Sequence, residues 1–154
     1  MTRERPEDRR WLQLAIDVSR LCPPVEMTYS VGAVIVSADG RELSRGYSRE
    51  TDRHVHAEES ALAKLVGTAE DLAKATMYTS LEPCSIRRSR TRTCTQLIFD
   101  AGIQRVVLAM REPLVFVDCE GVEVLEAAGV EVVELLDMAD QVYQINADVM
   151  GARE

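Results

Sequence analysis

The chain has 154 residues, an apolar fraction of 46% and a formal charge of −8. A chain of this length buries about two-thirds of the surface that its unfolded form exposes, so one domain over residues 1–154 is expected. The acidic balance disfavours a nucleic-acid partner, because affinity for nucleic acid comes largely from neutralising phosphates. No stretch approaches about 20 consecutive apolar residues and the N-terminus lacks an apolar run, so neither a membrane partner nor a signal peptide is predicted.

The first third of the chain predicts a helix followed by a hairpin. Apolar residues recur at helical spacing over residues 6–22, and two prolines end that pattern. The β-branched run at residues 31–36 predicts a strand. A turn follows, and residues 42–47 predict a second strand, so the two form an antiparallel hairpin.

The remainder of the chain alternates helix and strand. A helix over residues 54–66 ends at Gly67, and a strand over residues 76–81 follows. Further helices are predicted at residues 94–101, 121–128 and 137–150, the last with Asp137 as its N-cap, and further strands at residues 105–110 and 130–135. Because strands that alternate with helices pair in parallel, the sequence predicts a three-layer α/β/α fold with a mixed sheet of about five strands.

One motif combines residues with the chemistry of a catalytic zinc site: His56, Glu58, Cys84 and Cys94. Imidazole and thiolate are ligands that zinc prefers, and three protein ligands leave the fourth tetrahedral position open, as in catalytic sites. Glu58 follows His56 by two residues and is not needed as a ligand, which is typical of zinc-dependent deaminases. His54 competes as the metal ligand, but the offset of Glu58 favours His56. His54 then either lines the pocket or lies on the surface.

The predicted helix starts support this interpretation. His56 and Cys94 each lie at the start of a predicted helix, and a helix N-terminus lowers the pKa of a thiol. Zinc at such a site activates water, and Glu58 would carry a proton from the water to the leaving nitrogen. A positioned acid/base group of this kind contributes roughly 10²- to 10⁴-fold in rate.

The remaining two cysteines, Cys22 and Cys119, are interpreted as buried or incidental thiols. Without a secretory signal, four cysteines in a chain indicate a reducing compartment, so a cytoplasmic location is expected.

Four arginines lie between the two cysteines of the motif: Arg87, Arg88, Arg90 and Arg92. The planar guanidinium group suits bidentate contacts with phosphate, so this cluster predicts a small anionic substrate. A solvated loop is the alternative, because the chain uses arginine as its usual cation, with 16 Arg and 2 Lys.

A series of segments extends the motif along nearly the whole chain. In order they are VGAVIV at 31–36, HAE at 56–58, SLEPCS at 80–85, DAG at 100–102, VVLAMR at 106–111 and AAGVEV at 127–132. Together they resemble the cytidine-deaminase-like superfamily, and within it the deaminase domain of the bifunctional riboflavin-biosynthesis proteins. The resemblance implies a zinc cofactor at His56, Cys84 and Cys94, Glu58 as proton shuttle, and a phosphorylated pyrimidine as substrate. It also implies a homodimer or homotetramer and, if the chain acts in riboflavin biosynthesis, a separate reductase chain.

The chain departs from this family at positions that contact ribose and phosphate there. Tyr29 replaces an Asn, Glu112 begins a stretch that replaces Asp-Pro-Asn-Pro, and arginines replace His and Gly between the cysteines. Together with His54 and Ala57 beside the His-Ala-Glu motif, these positions make up the candidate substrate contacts: Tyr29, His54, Ala57, Arg87, Arg88, Arg90, Arg92 and Glu112.

The leading hypothesis is a deaminase of diaminohydroxyphosphoribosylaminopyrimidine or a close relative. The enzymatic alternatives are a deoxycytidylate or cytosine deaminase and a deaminase of specialised metabolism. Nucleic-acid editing is disfavoured by the acidic charge and by an aromatic content of 5%. A non-catalytic, zinc-stabilised binding module is disfavoured by the presence of Glu58.

Overall fold

The described strands form one mixed sheet, with the order β2-β1-β3-β4-β5. The computed structural model describes residues 4–23, 28–85, 92–112 and 120–151, without the side chains of Met150 and Gly151. The strands are β1 (Gly32–Val36), β2 (Glu42–Tyr47), β3 (Thr76–Thr79), β4 (Arg105–Leu108) and β5 (Glu131–Glu134). β1 pairs antiparallel with β2 and β3, whereas β3, β4 and β5 are parallel. The predicted hairpin and the predicted parallel pairing are therefore both confirmed.

Helices cover both faces of the sheet. In the described residues they are α1 (Asp8–Ser19), α2 (Ala57–Ala63), α3 (Cys94–Asp100), α4 (Gly121–Ala127), α5 (Ala139–Ile145) and α6 (Ala147–Gly151), with 3₁₀ turns at Leu72–Lys74 and Leu136–Met138. One buried apolar cluster joins the sheet to α2, α3 and α4, and a second joins it to α1 and α5. The three-layer α/β/α prediction is confirmed. None of the described helices combines the length and apolarity that a membrane span requires.

Alternation along the strands divides the two cores. Ala33 and Ile35 of β1 belong to the cluster under α2, whereas Val34 and Val36 belong to the cluster under α1. Both clusters contain β-branched residues, which pack well on a pleated surface. β3 is a central strand, because it pairs with β1 on one side and with β4 on the other. Its backbone is therefore held in place on both edges, and its side chains extend to both faces of the sheet.

Close packing sets the position of α2 on the sheet. A Cβ atom on Gly46 of β2 would lie 2.6 Å from both Ala57 O and Ala61 N, so a larger residue there would displace the helix. Glycine at this position therefore allows the backbone of α2 to approach the sheet.

The last predicted helix is wrong in two respects. Residues 137–150 are not one helix, because α5 and α6 are separate and a 3₁₀ turn precedes them. Asp137 is not an N-cap: it lies in that turn, and its Oδ2 accepts a 2.6 Å hydrogen bond from Arg9. The break falls at Asn146, whose side-chain amide bonds the backbone of Ser30 at 2.6 and 3.2 Å. Apolar periodicity could not predict this break, because the partner of Asn146 is 116 positions away in the sequence.

Candidate active site

His56 lies immediately before α2 and has extended backbone angles, φ −90° and ψ 160°. Its N–H donates to Glu59 Oε1 at 3.2 Å, which satisfies one of the donors that a helix start leaves without an intrahelical partner. The predicted place of His56 at a helix start is confirmed, and this local bond fixes the backbone from which its ring extends.

The two cysteines reach the same place from different elements. Cys84 follows β3, and buried Cys94 is the first residue of α3. Thr93 caps α3, since its hydroxyl accepts a bond from Gln96 N and its own N–H donates to the Gln96 side chain. Cys94 N donates to Cys84 Sγ at 3.3 Å, so the positive end of α3 faces that sulfur.

The geometry of the three donors fits a zinc ion. His56 Nδ1 lies 3.2 Å from Cys94 Sγ and 3.6 Å from Cys84 Sγ, and all three ligand atoms lie within 4.8 Å of one another. Donors held tetrahedrally at zinc bond lengths of about 2.0 to 2.3 Å are separated by about 3.5 Å. Hydrogen bonds with Cys94 and with His56 lower the pKa of Cys84 well below its ordinary value, against the opposing effect of burial, which favours the thiolate that a metal ligand requires.

Glu58 is the second residue of α2 and is buried, with 3% of its surface exposed. Its Oε2 accepts a hydrogen bond from Thr79 Oγ1 at 2.9 Å. Burial raises the pKa of this carboxyl, and the neighbouring His56 opposes the shift without cancelling it. A carboxylate whose pKa is raised toward neutrality takes up a proton more readily, which is the property of a general acid/base group.

His54 is separated from the donor group. It is exposed, and its backbone N–H donates to the Asp52 side chain at 2.8 Å. Among the described residues, the group that could hold a metal is formed by His56, Cys84 and Cys94. The structure therefore brings His56 to the thiols, as the offset of Glu58 predicted.

The other predicted substrate contacts have different surroundings. Ala57 is fully buried at the start of α2, and half-buried Tyr29 packs against the core under α1 and α5. Glu112 donates its N–H to Glu82 Oε1 at 2.9 Å. Exposed Arg92 pairs with Asp100 at 2.7 Å. Arg87, Arg88 and Arg90 lie outside the described residues, as does Cys119, and Cys22 contacts Val31 O at 3.5 Å.

Glu82 is a site residue that the sequence analysis missed. It is buried, and its two oxygens accept hydrogen bonds from Glu112 N at 2.9 Å and from Val122 N at 2.8 Å. Gly121 permits this contact, because a Cβ there would collide with Pro83 O and lie 2.9 Å from Glu82 Cγ. The carboxylate thus ties the loop that carries Cys84 to α4. Its place directly before Pro-Cys, beside a buried strand, was the available signal.

Thr79 is the second missed residue. It is fully buried at the end of β3, where a threonine is an ordinary strand former, and nothing in its sequence neighbourhood marks its contact with Glu58.

The fold and the donor set define a class of protein: an α/β/α domain with a His-Cys-Cys metal centre and a buried glutamate, as in zinc-dependent deaminases. Residues 5–110, more than half of the chain, match the model of the "Cytidine and deoxycytidylate deaminase zinc-binding region". The chain belongs to this family.

The similar curated proteins include deaminases of riboflavin biosynthesis. The "Diaminohydroxyphosphoribosylamino-pyrimidine deaminase" of Schizosaccharomyces pombe is 43% identical over 128 residues, which are 82% of this chain and 31% of that protein. The "Riboflavin biosynthesis protein RibD" of Aquifex aeolicus is 37% identical over 130 residues, which are 83% of this chain and 35% of that protein. The chain thus spans about a third of the length of the curated relatives it matches.

Solved structures share the fold. The diaminohydroxyphosphoribosylaminopyrimidine deaminase/5-amino-6-(5-phosphoribosylamino)uracil reductase of Thermotoga maritima gives a TM-score of 0.81 at 32% identity, covering 92% of this chain and 39% of that one. A C-terminal deletion mutant of the Aspergillus oryzae Rib2 deaminase gives a TM-score of 0.72 at 25% identity, covering 96% of this chain and 98% of that one.

Proposed function

We propose that this chain is a zinc-dependent aminohydrolase that acts on an aminopyrimidine nucleotide, with diaminohydroxyphosphoribosylaminopyrimidine as its substrate. The observation that carries the proposal is the convergence of His56, Cys84 and Cys94 beside the buried carboxylate of Glu58. The choice of substrate is supported by the S. pombe relative, which is named for this reaction.

Each of the four residues has a separate task in this proposal. His56, Cys84 and Cys94 hold the zinc ion, which when bound acts as a Lewis acid with one open position and activates water. Glu58 takes a proton from the attacking water while the water oxygen bonds to the ring carbon that carries the amino group. Glu58 then delivers that proton to the exocyclic nitrogen, which leaves as ammonia when the carbon–nitrogen bond breaks.

We also propose that the arginines between the cysteines contact the substrate phosphate. The surroundings of Arg92 support this proposal. Its partner Asp100 has a side chain that is 46% exposed, and an exposed ion pair contributes only about 0 to 1 kcal/mol to stability. A phosphate group can therefore replace Asp100 at little cost. The expected result for Arg92→Ala is a higher KM for the phosphorylated substrate and an unchanged KM for its dephosphorylated form.

A matched control separates phosphate binding by Arg92 from a general effect of net charge. Arg41 is also exposed and pairs with Asp39 and Glu70, so Arg41→Ala removes the same charge at another surface position. If the two variants raise KM equally, the effect is one of net charge and the assignment of Arg92 fails.

The test of the function is an ammonia-release screen with the zinc-loaded chain. The panel contains the diamino ribosylaminopyrimidinone with and without its 5′-phosphate, and cytosine, cytidine and deoxycytidylate. Fastest turnover of the phosphorylated diamino compound supports the proposal. Preference for deoxycytidylate would establish the alternative that the family name includes, and no turnover of any phosphorylated pyrimidine would refute both.

A second experiment tests the ligand set directly. Zinc content per chain, measured by atomic emission, should fall in His56→Ala, Cys84→Ser and Cys94→Ser. Cys22→Ser and His54→Ala are the controls, because Cys22 contacts a backbone carbonyl and His54 is exposed. Zinc retained in Cys94→Ser, or lost in His54→Ala, would contradict the proposed ligands.

Two further predictions concern the number of domains and the oligomeric state. The described strands share one sheet, which supports one deaminase domain over residues 1–154. A homodimer or homotetramer is tested by analytical ultracentrifugation.

A further inference from the structure

Thr79 provides a hydroxyl group at the one end of β3 that meets the site. The residue has 0% of its surface exposed, and its Oγ1 lies 2.9 Å from Glu58 Oε2 and 3.2 Å from Leu81 O. Because Tyr78, the preceding residue, belongs to the core under α1, alternation directs Thr79 to the α2 side of the sheet.

We propose that Thr79 is a positioning residue for Glu58. Its hydroxyl donates to Oε2 and thereby selects the orientation in which the other oxygen, Oε1, exchanges protons with water and the leaving nitrogen. The inference rests on the proposed function, because it assigns Thr79 a part in the proton transfer by Glu58.

Thr79 is more rigid than the glutamate that it contacts. A glutamate has three rotatable side-chain bonds, so burial on α2 leaves its carboxylate several orientations. Threonine is β-branched and restricted at its first side-chain torsion. Thr79 also belongs to a central strand, where it is paired with Ala33 on one side and Leu108 on the other. A donor on such a support holds its partner in one geometry.

The Thr79 hydroxyl group has two acceptors within reach, Glu58 Oε2 and Leu81 O. A buried hydroxyl group needs a partner, and Leu81 O is within reach at 3.2 Å. That bond alone would satisfy the requirements of the fold. The contact with Glu58 is shorter, at 2.9 Å, and joins β3 to α2 across the site.

The experiment compares Thr79→Val, which keeps the shape and removes the donor, with Thr79→Ser, which keeps the donor. Loss of one buried hydrogen bond corresponds to roughly a 10- to 100-fold change in rate. We expect Thr79→Val to lower kcat by that factor at nearly constant KM and unchanged zinc content, and Thr79→Ser to recover kcat to within about threefold of the parent. Crystal structures of the zinc-loaded variants should show the Glu58 carboxylate rotated only in Thr79→Val.

Thr76→Val is the matched control. Thr76 is also buried on β3, at the opposite end of the strand, so this variant makes the same substitution away from Glu58 and should leave kcat unchanged. The proposal is overturned if Thr79→Val keeps kcat within about twofold, if Thr79→Ser is as slow as Thr79→Val, or if the kinetic loss follows loss of zinc.

Failure of the proposed function has a different signature. In that case the parent protein itself releases no ammonia from any substrate of the panel. The crystal structures then decide the role of Thr79 alone: an unmoved Glu58 carboxylate in Thr79→Val refutes positioning, whereas a rotated one supports it.

Discussion

Two adjacent residues of β3 each donate a hydroxyl hydrogen bond to a buried carboxylate, one on each face of the sheet. Tyr78 donates to Asp8 Oδ1 of α1 at 2.8 Å, and Thr79 donates to Glu58 Oε2 of α2 at 2.9 Å. Both side chains are almost inaccessible to solvent and each accepts a bond from a hydroxyl group, yet their other partners differ.

Asp8 has a cationic partner on the same face. Arg105 donates to its two oxygens at 2.9 and 2.6 Å, and Arg5 N donates to Oδ2 at 2.7 Å. Burial by itself raises the pKa of Asp8, but these bonds outweigh burial and the pKa is lowered. Asp8 is therefore held ionised. For Glu58, burial outweighs the opposing influences and the pKa is raised. The guanidinium of Arg105 thus accompanies a lowered pKa at Asp8, whereas burial dominates at Glu58 and raises its pKa, which suits Glu58 to proton transfer.

The largest effect is expected for Glu58→Gln. The amide keeps the shape but cannot transfer a proton, so kcat for ammonia release should fall by roughly 10²- to 10⁴-fold, with zinc content and unfolding free energy little changed. The exposed Glu123→Gln on α4 is the control. Activity within about tenfold of the parent would remove Glu58 from the mechanism.

The next effect is a loss of stability from Arg105→Met. This substitution leaves buried Asp8 without its guanidinium partner, and breaking a buried ion pair in this way costs about 3 to 5 kcal/mol. Urea unfolding measures the change. Arg41→Met, which breaks an exposed pair, should change the free energy of unfolding far less than Arg105→Met. Equal losses in the two variants would show that burial of the pair has no energetic consequence. The double variant with Asp8→Leu should regain part of the loss, because it leaves no buried charge.

A smaller effect is expected for Tyr78→Phe. Removing one hydrogen bond to Asp8 should lower the free energy of unfolding by about 1 to 2 kcal/mol and leave kcat of the folded protein unchanged. This is the reverse of the pattern expected for Thr79→Val. If both variants lose stability and neither loses kcat, the distinction between the two faces fails.

The smallest effect concerns the pH dependence of stability. The folded pKa of Asp8 lies below its ordinary value of 3.8, so its contribution is fully present above that value and is lost as the pH falls through the folded pKa. In urea titrations of zinc-free protein, Asp8→Asn should therefore lose less stability than the parent between neutral pH and acid. Parallel curves for the two proteins would contradict this assignment.

Short-range sequence patterns predicted most of the secondary structure and the residues of the metal centre. Apolar periodicity and turn residues identified every strand of the sheet, because alternation in a strand is a local property. The His56, Glu58 and Cys84 segments were recognisable since zinc chemistry restricts residue types and offsets. The end of the chain was less predictable, because Asn146 breaks the helix through a partner 116 positions away.

The sequence by itself determined the class of fold, the donor residues and the glutamate beside them, because these depend on residue type and on near neighbours. Only the tertiary structure decided which buried polar groups meet. Asp8 and Arg105 are 97 positions apart, and Thr79 and Glu58 are 21 apart. The burial and the partners of a carboxylate are set by how helices pack on the sheet, and together they decide whether it stays ionised or exchanges protons.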